Sequence, residues 1–158
     1  MKSPSPDIVR DFPRISPDLV AQASAFQPAI LADVAGRRGA LHGRIAALRH
    51  RMKLAGSALT VEVRPGDNLM IHAAIALARP GDVLVIDGKG DQTAALMGTI
   101  MMNACRQVGI AGVVVDGAVR DSLRSTRWTF PSSRSGPIPT VRPSWLQAES
   151  GTRCPSAA

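Results

Sequence analysis

Aromatic residues are scarce in this 158-residue chain, which has three phenylalanines, two tryptophans and no tyrosine. A nucleic-acid surface built on base stacking interleaves aromatics with a basic stripe, and the body of the chain has no such stripe. Cysteine is also sparse. Cys105 falls in an apolar helical pattern and Cys154 in a Pro/Ser-rich tail, so the two cysteines indicate neither a disulfide framework nor a Cys-based metal site. No apolar run approaches the length of a membrane span, and MKSPSPDIVRDF lacks the apolar stretch of a secretory signal. A cytoplasmic protein with no membrane partner is expected. The segment GKGD has neither the Walker spacing nor the dinucleotide fingerprint, and GIAG (residues 109–112) precedes a strand instead of a helix, which argues against nucleotide binding.

What is present suits one globular domain with a real core, at 45% apolar content. The net charge of +7 is unevenly spread: up to Asp121 there are 14 basic and 11 acidic residues, whereas residues 122–158 hold 5 basic and one acidic. The excess therefore lies mostly in the tail, and no nucleic-acid partner is expected.

Residues 1–17 contain four prolines and read as an extended arm. Two short helices are predicted next, one starting at Pro17 with Ser16 as cap and one through Ile30–Ala35, stopped by Gly36. The basic stretch Gly39–Arg51 is compatible with a strand or a loop. Leu59–Val63 is β-branched and reads as a strand. Asp67 or Asn68 can cap the helix LMIHAAIALA, which ends near Arg79-Pro80-Gly81-Asp82. Val83–Asp87 is an unbroken apolar strand of the kind covered on both sides. Gly88–Asp91 is predicted as a loop and Thr93–Cys105 as a helix with Gly98 near its start; Val113–Gly117 is the next strand. This βαβαβ alternation predicts an α/β fold with a partly parallel sheet and right-handed crossovers.

In such a sheet, chemistry gathers at the carboxyl ends of the strands, which places Asp87-Gly88, Asp116-Gly117 and Arg120-Asp121 where a site is expected. Arg120 offers a planar fork for a carboxylate, and Asp121 an oxygen ligand of the kind that Mg²⁺ or Mn²⁺ accepts; an isolated Arg-Asp pair can equally serve in surface ion pairs. His72 has no second histidine at metal-binding spacing, and Met97, Met101 and Met102 suit core filling.

Three stretches, ILADVAGRRGALHG, AGSALTVEVRPGDNLMIHAAIALARPGDVLVIDGKG and ALMGTIMMNACRQVGIAGVVVDGAVRD, together resemble the RraA-like family over about residues 28–121. The signature is a Gly, some twenty residues, then Arg-Asp. That family includes 4-hydroxy-4-methyl-2-oxoglutarate and 4-carboxy-4-hydroxy-2-oxoadipate aldolases. The resemblance implies a swivelling ββα domain, homotrimers or pairs of trimers, and a divalent metal cation at a subunit boundary. It also implies that Gly98, Thr99, Ile100 and Met101 hold the keto-acid end of a small 2-oxo acid substrate through backbone amides. Arg120 would bind its carboxylate, and Asp121 would position Mg²⁺ or Mn²⁺, with Arg120 and Asp121 as the catalytic pair. The implied reaction is aldol cleavage to pyruvate with oxaloacetate decarboxylation as a side activity, since both pass through a pyruvate enolate. The family also contains a non-catalytic inhibitor of an RNA-degrading endonuclease, which is the alternative reading.

After Asp121 the pattern changes. The family signature continues to an acidic residue two positions later than Ser122, where this chain has Arg124, and residues 122–158 carry eight serines, five prolines, five arginines and both tryptophans. A divergent irregular tail is one reading. The other is a one-base loss after Asp121, since regrouping permitted codons over residues 124–136 restores an acidic residue in place of Arg124. Either way no strand-like run is expected after Asp121, and a core lacking its C-terminal strands would assemble poorly.

Overall fold

Ser16 opens the first helix by local chemistry. Its hydroxyl accepts the Leu19 N–H and Pro17 occupies the first turn, so α1 (Pro17–Ser24) begins as predicted. The computed structural model describes residues 8–48, 52–121 and 132–135. In it α1 is followed by α2 (Pro28–Val34), β1 (Ile45–Ala47), β2 (Ser57–Glu62), α3 (Leu69–Leu77), β3 (Asp82–Met97), α4 (Thr99–Val108), β4 (Gly112–Val119) and β5 (Ser132–Ser135). Neither α1 nor α2 buries a residue. No helix among the described residues is long and apolar enough to cross a membrane.

The five strands form one sheet in the order β1-β5-β4-β3-β2, parallel from β2 through β5, with β1 antiparallel to β5. Since β2, β3 and β4 are laid down side by side in one direction, right-handed crossovers put α3 and α4 on the same face. The core lies there. Leu59, Leu84, Ile86, Val113 and Val115 project from alternate strand positions onto Ile71, Ile75, Met102 and Cys105 of the two helices. Burying a side chain such as Leu84 completely stabilises the fold by about 1.5–3 kcal/mol.

At the start of α3 the N-cap is Asn68, which makes no side-chain cap bond; the Leu69 N–H is instead accepted by Oδ1 of the preceding Asp67 at 2.9 Å.

Three expectations are corrected. The strand that begins at Asp82 does not stop at Asp87, and Gly88–Asp91 is no loop: β3 runs on to Met97 through three register shifts against β4. Thr93–Met97 is therefore strand, and the helix begins only at Thr99, because Ala95 and Met97 pair with Ala118 and Val119 and tertiary pairing overrides the helix propensity of Ala, Leu and Met. Lys89 and Gly90, at φ 60° and 70°, supply the backbone turn of the first shift.

The second correction concerns the tail. Residues 132–135 form β5, which joins β1 to β4, so a strand does follow Asp121. The rest of residues 122–158 lies outside the described residues.

The third is the N-terminal arm, which is extended at residues 8–16 yet packed. Arg14 Nε and Nη2 donate to the Asp82 carboxylate at 2.9–3.1 Å, the Ile15 N–H donates to Ser57 Oγ at 2.8 Å, and Phe12 lies against the core with the Arg14 guanidinium 4.3 Å above its ring. Burial by itself would push the Asp82 carboxyl up; hydrogen bonds from Arg14 and the Arg79 N–H outweigh it and leave the group below the ordinary carboxylate range. Arg14 Nη1 is buried with no hydrogen-bond partner among the described residues, which offsets part of that gain.

Candidate active site

Charged residues stand at the end of β2, partway along β3 and β4, and just past the end of β4, and their partners sort them. Glu62, Asp87 and Asp116 occupy one cross-strand row by register. Lys89 Nζ sits 2.7 Å from Glu62 and 2.8 Å from Asp87, and Arg44 grips Asp116 through Nε at 2.8 Å and Nη2 at 2.5 Å. The Lys89 hydrogen bonds hold the Asp87 carboxyl below its usual range, and the bond to Asp116 raises the Arg44 guanidinium. Ion pairing thus accounts for Asp87 and Asp116, and neither Arg44 nor Lys89 was foreseen as their partner. A shallow cavity of about 160 Å³ on the face opposite α3 and α4 is lined by Leu41, Ile45, Val85 and Val114 together with the Arg44–Asp116 pair. Its lining is mostly aliphatic and its guanidinium is already committed, so it suits an anionic substrate poorly.

The remaining corner is different. The Arg120 N–H donates to Met97 O at 3.0 Å, which ties the end of β4 to the end of β3 just before α4 starts. Gly98, buried and extended at φ −144°, is the N-cap. A Cβ placed there would lie 2.8 Å from Arg120 Nε, 3.0 Å from Arg120 Cγ and 3.1 Å from Asp121 Oδ2. Only the missing side chain lets both residues lie over the start of the helix. Asp121 takes φ +66°, a region that Asp tolerates better than most residues, and its Oδ2 accepts both the Thr99 N–H and the Thr99 hydroxyl at 3.2 Å.

The structure brings together Gly98, Thr99, Arg120 and Asp121, with Ile100 and Met101 following in the first turn of α4. Ile100 is 82% exposed, whereas Met101 turns its side chain into the core and can offer only its backbone. The first intrahelical bond runs from the Met102 N–H to Gly98 O. Of the N–H groups before it, Thr99's is taken by Asp121, and among the described residues nothing accepts from Ile100 or Met101. Two backbone donors at a helix N-terminus beside an exposed guanidinium form an arrangement that can bind an anion.

The donor chemistry also bears on a divalent cation. Among the described residues no three His, Cys, Asp or Glu side chains cluster as a metal cage, and the corner offers one exposed carboxylate, Asp121. Mg²⁺ is commonly held by one or two carboxylates with waters and substrate oxygens completing its shell, so this donor set fits a site that substrate completes.

The profile of the family described as "RraA-like: Aldolase/RraA" matches residues 16–151, most of the chain and beyond Asp121. The chain belongs to the RraA-like family. A Halalkalibacterium halodurans protein named "Putative 4-hydroxy-4-methyl-2-oxoglutarate aldolase" is 39% identical over 114 residues, which cover 72% of this chain and 54% of the relative. A protein of the same name from Paraburkholderia phytofirmans is 41% identical over 68 residues, covering 43% of this chain and 41% of that one. This RraA-like chain therefore spans about half the length of the curated relatives it matches. Among solved structures it is similar to Streptomyces coelicolor RraAS2, described as an unusual member of the RNase ES inhibitor RraA protein family. That likeness has a TM-score of 0.72 at 28% identity and covers 82% of this chain and 67% of RraAS2. The α/β fold is thus of the RraA-like type, and the aldolase names of its relatives support a lyase reading.

Proposed function

We propose that this RraA-like chain is the core of a divalent-metal-dependent aldolase that cleaves 4-hydroxy-4-methyl-2-oxoglutarate-type 2-oxo acids to pyruvate and decarboxylates oxaloacetate. The observation that carries the reading is the Gly98 cradle, where two unsatisfied helix amides, the Arg120 guanidinium and the Asp121 carboxylate converge. Arg120 would take the substrate's C1 carboxylate through its planar fork, and the Ile100 and Met101 N–H groups would donate to the same anionic end. Gly98 contributes by leaving room. Exposure of Arg120, Asp121 and Ile100 keeps the corner open to a small substrate. Asp121 would hold Mg²⁺ or Mn²⁺, which when bound supplies Lewis-acid stabilisation of the negative charge that builds on the 2-oxo group during C–C cleavage. Homotrimer assembly belongs to the same reading.

The experiment is pyruvate release from oxaloacetate and from 4-hydroxy-4-methyl-2-oxoglutarate, with Mg²⁺ and with excess chelator, on material sized by light scattering. Mg²⁺-dependent release from both substrates by a trimer supports the reading; a trimer that turns over neither refutes it. The likeness to RraAS2 favours a second reading, a non-catalytic protein that binds and inhibits an RNA-degrading endonuclease. Inhibition of such an endonuclease by an inactive trimer would select it.

A further inference from the structure

We infer that the Thr99 side chain is a positioning residue for Asp121, fixing which carboxylate oxygen faces the cation; this rests on the reading of Asp121 as the cation ligand. Both Thr99 donors, the backbone N–H and Oγ1–H, converge on the same oxygen, Oδ2, at 3.2 Å each. Among the described residues nothing else donates to that carboxylate, so Oδ1 is the oxygen left without a protein donor. Two donors on one oxygen restrain the carboxylate plane, whereas a single amide leaves it free to turn and exchange its oxygens. Nothing in the backbone replaces this restraint. Asp121 sits at φ +66°, one residue beyond Arg120, whose N–H bond to Met97 O ties the chain just past β4 to the end of β3, and is itself exposed. The Arg120 stem lies across Gly98, within 3.0 Å of where a Cβ would be, and among the described residues it donates no hydrogen bond to the Asp121 carboxylate.

Loss of a partner that orients a metal ligand typically weakens metal affinity by about 10–100-fold. A threonine in the first turn of a helix can also be purely structural, and the hydroxyl is what separates the two roles. Thr99→Val keeps the shape, the β-branch and the N–H but removes the Oγ1 donor, whereas Thr99→Ser keeps the donor and removes the methyl group.

The test is a Mn²⁺ titration followed by electron paramagnetic resonance, on the full chain with saturating oxalate as a stand-in for a 2-oxo acid. Wild type, Thr99→Val, Thr99→Ser and Asp121→Asn are compared after their thermal melts are shown to match. The expected result is a Mn²⁺ dissociation constant about tenfold higher in Thr99→Val, close to wild type in Thr99→Ser, and beyond measurement in Asp121→Asn. Wild-type affinity in Thr99→Val, or equal weakening in the Val and Ser variants, overturns the positioning role while Asp121 keeps its own. Unchanged binding in Asp121→Asn, or no binding by wild type, overturns the reading of Asp121 and this inference with it.

Discussion

Arg120 Nε lies 2.8 Å from where a Cβ would sit on Gly98, so the guanidinium stem occupies the space a side chain at 98 would claim. Gly98 has an extended backbone that alanine adopts without strain, so Gly98→Ala acts through crowding alone. The methyl group must push Arg120 and Asp121 outward. Displacing catalytic groups by about 1 Å can cost about a hundredfold in rate, and pyruvate release by Gly98→Ala is expected to fall by that order. Its melting temperature should stay near wild type, because the groups displaced are exposed side chains. Paired activity and circular-dichroism melts check both halves.

Arg14 and Asp82 make the stability of the arm depend on pH. The Asp82 side chain is 3% exposed and its folded-state pKa lies below the ordinary carboxylate value of 3.8. A carboxyl depressed by folding stabilises the fold above its unfolded pKa and loses that contribution as pH falls through the folded pKa. Urea midpoints should therefore hold steady near neutrality and drop below about pH 4. In Arg14→Met the midpoint at neutral pH should be lower, since a buried carboxylate has lost its partner, and this acid-dependent drop should shrink.

Cys105 should be chemically silent in the folded protein. Burial pushes its thiol up to about 11, which leaves about one part in a thousand as thiolate at pH 8. In a Cys154→Ser variant, labelling by a thiol reagent at that pH should be negligible until denaturant is added. Rapid native labelling would mean that the packing between α4 and the sheet is wrong.

The order and direction of β2, α3, β3, α4 and β4 were legible because each core element carries its own signal: β-branched Thr60, Val61 and Val63, the Ala/Leu-rich 69–78 segment, and the apolar run 83–86. The extension of β3 to Met97 was not, since Thr93–Met97 has helix-forming composition and its strand state depends on pairing with residues some twenty positions later. The Arg14–Asp82 and Arg44–Asp116 pairs join residues 68 and 72 positions apart, which no local pattern encodes. At the candidate site, Arg120 and Asp121 could be named from residue type and from resemblance. The reason for Gly98 could not. It appears only when the end of β4 is folded back over the first turn of α4, where the hydroxyl of Thr99 also finds Asp121.

The central claim is that the Gly98–Asp121 corner binds the carboxylate of a 2-oxo acid for cleavage, and Arg120 is the residue to ask. The measurement is kcat/KM for pyruvate release from 4-hydroxy-4-methyl-2-oxoglutarate with Mg²⁺, for wild type and for Arg120→Ala of matched thermal stability. Removal of one preorganised group that stabilises the reacting anion costs about 10²–10³-fold in known enzymes, and a loss of that size is the predicted result. Wild-type kcat/KM in Arg120→Ala would contradict the account.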